Sequence, residues 1–191
     1  VISVLSTGIA LMTPVLWAAL GEAVTERAGV LNIGIEGVML FGALVCAWSI
    51  REGGGITNGL LLSLPIGAAI GLVLAFLWVT RGADQIVSGI IFNLLALGAT
   101  TLLFEEFLQG VGVVTTLDTI DIPLLSDIPW VGEILFQQDI TVYLAIVAAA
   151  VVFLLLHRTW FGLHLRSAGE KPRASETAGL SVPRLRYAAV I

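Results

Sequence analysis

The chain has 191 residues, of which 58% are hydrophobic and only 12% are charged, and its mean hydropathy is +1.01. A soluble domain carries about 25% charged residues, so this composition excludes an ordinary soluble enzyme. The single cysteine, Cys46, excludes a disulfide framework within the chain. The apolar residues come in long runs, which are typical of several membrane spans.

These apolar runs predict the architecture. Each run has about the 17–25 residues that a helix needs to cross a bilayer. The sequence therefore predicts an all-α fold, a polytopic transmembrane helix bundle that forms one domain over residues 1–191. We expect the sequence to stop inside a sixth helix of a longer protein. The predicted complete spans lie at roughly 2–20, 33–50, 58–80, 87–104 and 140–156, with the sixth starting near residue 184.

The basic residues predict the orientation, because all but one fall in alternate loops. The positive-inside rule assigns these loops to the cytoplasm, which places Arg51 and the N-terminus outside. The connection 110–139 is then extracytoplasmic. It has five acidic residues and no basic one, and Pro123, Pro129 and Trp130 favour an ordered loop over the membrane face. The cytoplasmic basic residues are Arg27, Arg81, Arg158, Arg166, Lys171, Arg173, Arg184 and Arg186.

The predicted span 58–80 has a stripe of small residues, Ser63, Gly67, Gly71 and Ala75. They repeat every four residues, so they share one helix face that lets a second helix approach closely. Packing inside one bundle is the simpler interpretation, and a seam between two subunits is the alternative.

Residues 29–43, GVLNIGIEGVMLFGA, place an amide and a carboxylate in an apolar run. On a helix, Asn32 and Glu36 would share a face, while the surrounding glycines weaken a regular helix. One interpretation is a glycine-loosened helix entry at the inner membrane surface, where Glu36 caps the helix or pairs with Arg27. The other is a broken segment on a translocation path, because carboxylates inside membranes face a cavity or a partner.

A second polar entry into a span is GADQIVSGIIFN, residues 82–93. Asp84 fits the N-cap or the first turn of a helix. The polar side chains of Gln85, Ser88 and Asn93 either line a cavity or hydrogen-bond to neighbouring helices.

The connection 157–183 predicts one short helix between two spans. Pro172 suits its first turn and Gly179 its C′ position, while Ser181 and Pro183 fit the start of the next span. Such a helix, with Arg173 and Glu176 exposed, has the shape of a docking element; a solvated loop that only sets topology is the alternative. We expect no metal site, because His157 and His164 have no further ligands at suitable spacing. No phosphate-binding glycine loop or nucleophile elbow is present, so we expect no enzymatic activity.

Three separated motifs resemble the branched-chain-amino-acid/ribose type of permease in ATP-binding cassette (ABC) importers. They are GEAVTERAGVLNIGIEGVMLFGA (21–43), GADQIVSGIIFNLLALG (82–98) and GLHLRSAGEKPRASETAGLSVPRLRY (162–187). The likeness is closest to the shorter permease subunit of the nucleoside and simple-sugar importers. The stretch IPLLSDIPWVGEILF (122–136) is similar to the external loop of that subfamily.

The resemblance implies a multi-pass subunit of a bacterial or archaeal plasma (inner) membrane that moves nucleosides or simple sugars inward. Implied partners are a second related permease, a cytoplasmic ATP-binding cassette protein, an extracytoplasmic substrate-binding lipoprotein and the lipid bilayer, but no nucleic acid. ATP and Mg belong to the partner ATPase, and no cofactor is expected in this chain.

The resemblance also suggests roles for individual residues. It makes 157–183 a cytoplasmic coupling loop whose ATPase-coupling residues are Glu170, Pro172, Arg173, Glu176 and Gly179. The candidates for the translocation path or gate are Asn32, Glu36, Gln85 and Asn93.

Two other functions are consistent with the sequence. A permease of the same superfamily could carry ribose or a branched-chain amino acid, although the external loop favours the nucleoside and sugar group. A secondary transporter or channel subunit would need inverted repeats or ion-coupling carboxylates in several spans, and only Glu36 qualifies.

Overall fold

The fold is a bundle of helices with one small pair of strands. The computed structural model describes residues 2–108, 117, 119–121 and 132–191, and the predicted all-α membrane bundle is confirmed. The helices are α1 (Ile2–Arg27), α2 (Ile35–Arg51), α3 (Gly55–Ala75), α4 (Gln85–Phe107), α5 (Ile140–Arg158), α6 (Trp160–Glu170), α7 (Pro172–Thr177) and α8 (Val182–Val190). The strands are β1 (Thr119–Asp121) and β2 (Gln137–Asp139).

Four helices among the described residues are long and apolar enough to cross a membrane. They are Ser3–Arg27, Gly55–Thr80, Gln85–Phe107 and Ile140–Arg158, the second of which includes a π-helical turn after α3. The remaining predicted span, 33–50, corresponds to α2, whose 17 residues lie at the lower end of the about 17–25 residues that a spanning helix needs. Its length of about 26 Å compares with a hydrocarbon core of about 30 Å.

α1 is longer than predicted. Residues 21–27, expected to lie in a loop after a span that ends near residue 20, continue the helix to Arg27. The helix ends in a Schellman motif, in which Val30 N–H donates to Thr25 O at 3.1 Å and Gly29 N–H donates to Glu26 O at 2.9 Å. Gly29 has φ +77°, a left-handed conformation that side chains disfavour. This glycine therefore sets the point at which the chain leaves α1.

α2 and α3 pack antiparallel through small residues. A Cβ at Gly59 would lie 2.8 Å from Cys46 Sγ, one at Gly42 would lie 3.9 Å from Ser63 Cβ, and one at Gly67 would lie 3.8 Å from Val38. A Cβ at Gly71 would lie 2.8 Å from the carbonyl oxygen of Val190 in α8. The stripe on α3 thus makes packing contacts within this chain, as the simpler interpretation predicted.

The buried apolar core lies at one end of the bundle, around the loop between α1 and α2. One cluster joins Val30, Leu74, Ala75, Trp78 and Val190, and a second joins Ala28, Leu156, Leu165 and Ala189. Along the long helices many large apolar side chains are exposed, as is expected of helices that face lipid or another subunit.

The connection between α4 and α5 contains the strand pair. β1 and β2 are antiparallel, with Ile120 opposite Gln138. The buried Gln138 side chain donates to Ser6 Oγ of α1 at 2.9 Å, so this end of the connection is fixed to the bundle. Three residues that were predicted to order this loop, Pro123, Pro129 and Trp130, lie outside the described residues.

The connection 157–183 contains two helices, so the prediction of a single short helix was wrong. α6 follows a break at Thr159, whose Oγ1 accepts from Gly162 N–H at 3.1 Å. Its buried residues, Gly162, Leu165 and Ala168, recur every three residues and face the bundle. The bounds predicted for the next helix were right, because α7 has Pro172 at its start and Gly179, with φ +86°, just after its end.

We expect the substitution Gly59→Ala to lower the thermal stability of the detergent-solubilised protein. The new methyl group would meet both Sγ and Cα of Cys46 at less than 3 Å, and overpacking of this kind costs about 1–3 kcal/mol. The measurement is the melting temperature of the monodisperse fraction.

Gly98→Ala is the matched control, because a Cβ there has nothing within 4 Å and alanine favours a helix. Equal melting temperatures for the two variants would contradict the close packing of α2 on α3.

Candidate functional site

The loop between α1 and α2, residues 28–34, has no helical structure. A backbone of this kind leaves N–H and C=O groups unpaired unless other parts of the chain supply partners. Among the described residues, four side chains from α1, α4 and α8 supply such partners: Glu22, Gln85, Asn93 and Arg186.

Glu22 of α1 holds the middle of this loop. Its two carboxylate oxygens accept from Asn32 N–H at 3.1 and 3.2 Å, and Oε2 also accepts from the Thr25 hydroxyl at 3.1 Å. Glu22 is half-buried, and Thr25 is buried. Hydrogen bonds to a carboxylate are stronger than those between neutral groups, so Glu22 fixes the loop to the last turns of α1.

Gln85, in the first turn of α4, also holds the middle of the loop. Its Oε1 accepts from Leu31 N–H at 2.8 Å. The N-cap of α4 is Asp84, as predicted, and its Oδ1 accepts from Val87 N–H at 2.9 Å. The cap directs α4 so that the Gln85 side chain faces the loop.

Asn93 holds the end of the loop and the beginning of α2. Its Nδ2 donates to Ile33 O at 2.8 Å, and its Oδ1 accepts from Gly37 N–H at 2.9 Å. The first N–H groups of a helix have no partner within the helix, and Gly34, the N-cap residue of α2, has no side chain to provide one. Asn93 therefore caps α2 from a different helix.

Ser88, the third polar side chain in this part of α4, accepts from Trp78 Nε1–H at 2.7 Å. Gln85, Ser88 and Asn93 thus each hydrogen-bond to a neighbouring segment, which is the second of the two arrangements that the sequence allowed.

The positions of Asn32 and Glu36 differ from the prediction. α2 begins at Ile35, so Asn32 lies in the loop and the two residues do not share a helix face. Glu36 is exposed in the first turn of α2, where a negative charge favours the helix. The Oδ1 atom of Asn32 is buried and has no hydrogen-bond partner among the described residues.

Glycines allow α4 to lie directly against the loop. A Cβ at Gly89 would lie 2.8 Å from Ile33 Cβ, and one at Gly37 would lie 2.6 Å from the ring of Phe92. At Gly34 the same ring would be 3.1 Å away. Glycine disfavours a helix, but at these positions it allows a close contact that larger residues would prevent.

The loop lies along the first part of α4. It contacts α4 first at Gln85 and last at Asn93, which lies roughly two helical turns further on. The loop lies at the end of the bundle that holds the buried core. Both sequence interpretations, a helix entry at the inner membrane surface and a broken segment on a translocation path, therefore stay predictions.

The residues predicted to couple to an ATPase lie on and beside α7. Glu170, Arg173, Glu176 and Gly179 are exposed and Pro172 is half-buried. Ser175 is buried, and its hydroxyl donates to Lys171 O at 3.1 Å. The helix therefore has one buried face and presents charges of both signs on the other.

Glu22 was not among the residues singled out from the sequence. Its partner, Asn32 N–H, is ten residues away and in a different segment. The available signal was Thr25, three residues after Glu22 and therefore one turn further along α1.

Residues 4–191 match the model of a family described as "branched-chain amino acid transport system / permease component". No solved structure matches the chain significantly.

Three curated relatives are similar over nearly all of this chain. A putative glucose ABC transporter permease protein of Haloferax volcanii is 37% identical over 94% of the chain and 55% of its own length. A nucleoside ABC transporter permease protein of Lactococcus lactis is 36% identical over 94% and 59%. A guanosine ABC transporter permease protein of Bacillus subtilis is 37% identical over 93% and 59%.

The chain thus spans somewhat more than half the length of these relatives. The match from residue 4 to residue 191 covers all the described helices apart from the first two residues of α1. The long apolar helices agree with a protein that crosses the membrane several times. This chain belongs to the permease-component family of branched-chain amino acid transport systems.

Proposed function

We propose that the protein is the membrane-spanning subunit of an ABC importer that moves nucleosides or simple sugars inward. Two of the relatives above have names that specify nucleoside or guanosine transport, and one has a name that specifies glucose. The observation that carries the proposal is α7, a short helix with exposed charges on the same end of the bundle as the buried core.

In this proposal the subunit is not itself an enzyme. A cytoplasmic ATPase, with its ATP and Mg, docks on Glu170, Arg173 and Glu176, and a second related permease completes the pathway. An extracytoplasmic lipoprotein delivers the solute. That lipoprotein captures the solute, and nucleotide binding gives transport its direction, so the permease itself needs only weak affinity for the solute. A ligand shifts a conformational equilibrium only by the difference in its affinity for the two states.

The proposed orientation follows the distribution of basic residues, with the N-terminus extracytoplasmic and the 157–183 connection in the cytoplasm. Arg186 in α8 donates to Ala28 O just after α1, and Tyr187 hydrogen-bonds to Thr80 just before Arg81. These contacts place basic residues from distant parts of the sequence at one end of the bundle, which supports a single cytoplasmic face.

We infer that the loop 28–34 and its supports form part of the gate. Asn32 lies in this irregular segment and Glu36, Gln85 and Asn93 lie beside it, and among the described residues the half-buried Asn32 retains an unused acceptor atom. Broken segments with polar groups are typical of transport pathways.

The test of the function is uptake by proteoliposomes that contain the full-length permease, its partner permease, the ATPase and the binding protein. With labelled guanosine, glucose, ribose and leucine offered in parallel, we expect ATP-dependent accumulation of a nucleoside or a sugar. Accumulation of leucine alone would show that the solute is a branched-chain amino acid, as in the family description, and not a nucleoside or a sugar. Accumulation without ATP would contradict the ABC assignment.

We expect the double charge reversal Arg173→Glu with Glu176→Arg to weaken docking of the ATPase by about tenfold or more, because both charges face the partner surface. The measurements are co-purification of the ATPase and uptake per permease. The net charge is unchanged and both residues are exposed, so we expect the melting temperature to stay the same.

The matched control is Arg51→Glu with Glu52→Arg, an exposed pair of opposite charges at the C-terminal end of α2, at the other end of the bundle. It should leave ATPase co-purification intact. Normal docking and uptake in the α7 variant would remove α7 from the proposed interface.

We expect Asn93→Leu to lower both uptake and stability, since it leaves Gly37 N–H and Ile33 O without their partner. Gly37 is buried, and an unsatisfied buried group costs about 1–3 kcal/mol, whereas the contact with Ile33 O is exposed. Asn93→Asp retains the acceptor for Gly37 N–H and should be milder. The measurements are the melting temperature in detergent and the initial rate of uptake.

Thr101→Val is the control within α4, because in the part of the chain that the structure describes the Thr101 hydroxyl bonds only to Leu97 O of its own helix. If Asn93→Leu behaved like this control in both assays, the loop would not depend on its cap from α4.

A further inference from the structure

The cytoplasmic helix α6 touches the backbone of the α1–α2 loop directly. A Cβ at Gly169 would overlap the carbonyl oxygen of Arg27, and it would lie 3.0 Å from Gly29 N and 3.1 Å from Ala28 C. From the other side, a Cβ at Gly29 would lie 3.1 Å from Gly169 Cα. Two glycines thus bring the two backbones into contact, with no side chain between them that could absorb a displacement.

A second contact holds the same point of the loop. Arg186 Nε of α8 donates to Ala28 O at 3.2 Å, and its guanidinium would lie 3.4 Å from a Cβ at Gly29. Ala28 itself is fully buried and belongs to the cluster with Leu165 of α6 and Ala189 of α8. The start of the loop is therefore held by the two helices that flank α7 in the sequence.

The rest of the loop is held by the membrane helices. Glu22 and Gln85 bind the N–H groups of Asn32 and Leu31, and Asn93 binds Ile33 O and the first turn of α2. A shift of α6 and α7 therefore has to move the loop or break these hydrogen bonds. The segment between these two sets of contacts, from Gly29 to Gly37, is short, so it can absorb little displacement.

We propose that the contact of Gly169 with residues 27–29, supported by Arg186, is the route by which movement of α7 reaches the loop and the beginning of α2. Gly169 and Arg186 are positioning residues that touch no solute. This inference rests on the proposed function, because it needs an ATPase that moves α7. It adds a defined mechanical element between the docking surface and the gate.

The experiment compares two reporters in the assembled transporter in proteoliposomes. With Cys46 replaced by alanine, a single spin label is placed either at Ala178, exposed after α7, or at Leu31, which is 41% exposed in the loop. ATP with vanadate is expected to change the spectrum at both sites in the parent protein. In Gly169→Ala the change at Ala178 should persist, the change at Leu31 should be lost, and uptake per ATP hydrolysed should fall at least tenfold.

Gly8→Ala is the control, because a Cβ there has nothing within 4 Å. Arg186→Met gives a second test if Gly169→Ala does not assemble. It removes the bond to Ala28 O and should reduce uptake per ATP at least threefold, while Arg186→Lys, which keeps a charged donor, should restore most of it. A purely structural role would lower ATPase activity and uptake together.

Nucleotide-dependent change at Leu31 equal to that of the parent, in Gly169→Ala or in Arg186→Met, would overturn the proposed route and leave the ABC function standing. A parent transporter with no change at Ala178 and no ATP-dependent uptake would instead overturn the proposed function and the route with it.

Discussion

The structure depends on one constraint: a stretch of non-helical backbone enters a bundle that is built for a membrane. The backbone N–H groups of Gly29 and Val30 are satisfied by the last turn of α1, but Leu31, Asn32 and Ile33 need partners from side chains elsewhere in the chain. Glu22, Gln85 and Asn93 supply these partners, and each hydrogen-bonds to a backbone group of the segment. Polar residues in apolar runs thus have a structural reason that precedes any transport role.

The same constraint explains why glycine is frequent around this segment. Side chains can reach backbone groups only if the helices approach closely, and Gly34, Gly37 and Gly89 make that approach possible between the loop and α4. Gly169 does the same between the loop and α6. The loop 28–34 therefore has three neighbours: it forms part of the proposed gate, it lies in the packed core at one end of the bundle, and it contacts α6 beside the proposed docking surface.

Local signals in the sequence predicted local structure well. Pro172 and Gly179 define the bounds of α7, and Asp84 caps α4, because each acts within a few residues of itself. The four longest apolar helices follow directly from their hydropathy. The partners of Gln85 and Asn93 lie more than fifty residues away. Spacing along one helix contains no information on such contacts, and it wrongly suggested that Asn32 and Glu36 share a helix face. α6 was missed because its small buried residues give a weaker apolar signal than a span does.

The capping of α2 by Asn93 has a consequence for biosynthesis. Asn93 is made 56 residues after Gly37, so α2 leaves the ribosome with its first turn uncapped. The loop before it also lacks the support of Gln85 at that time. The loop and the first turn of α2 therefore gain these hydrogen bonds only after α4 has been synthesised, whatever the order in which the helices insert.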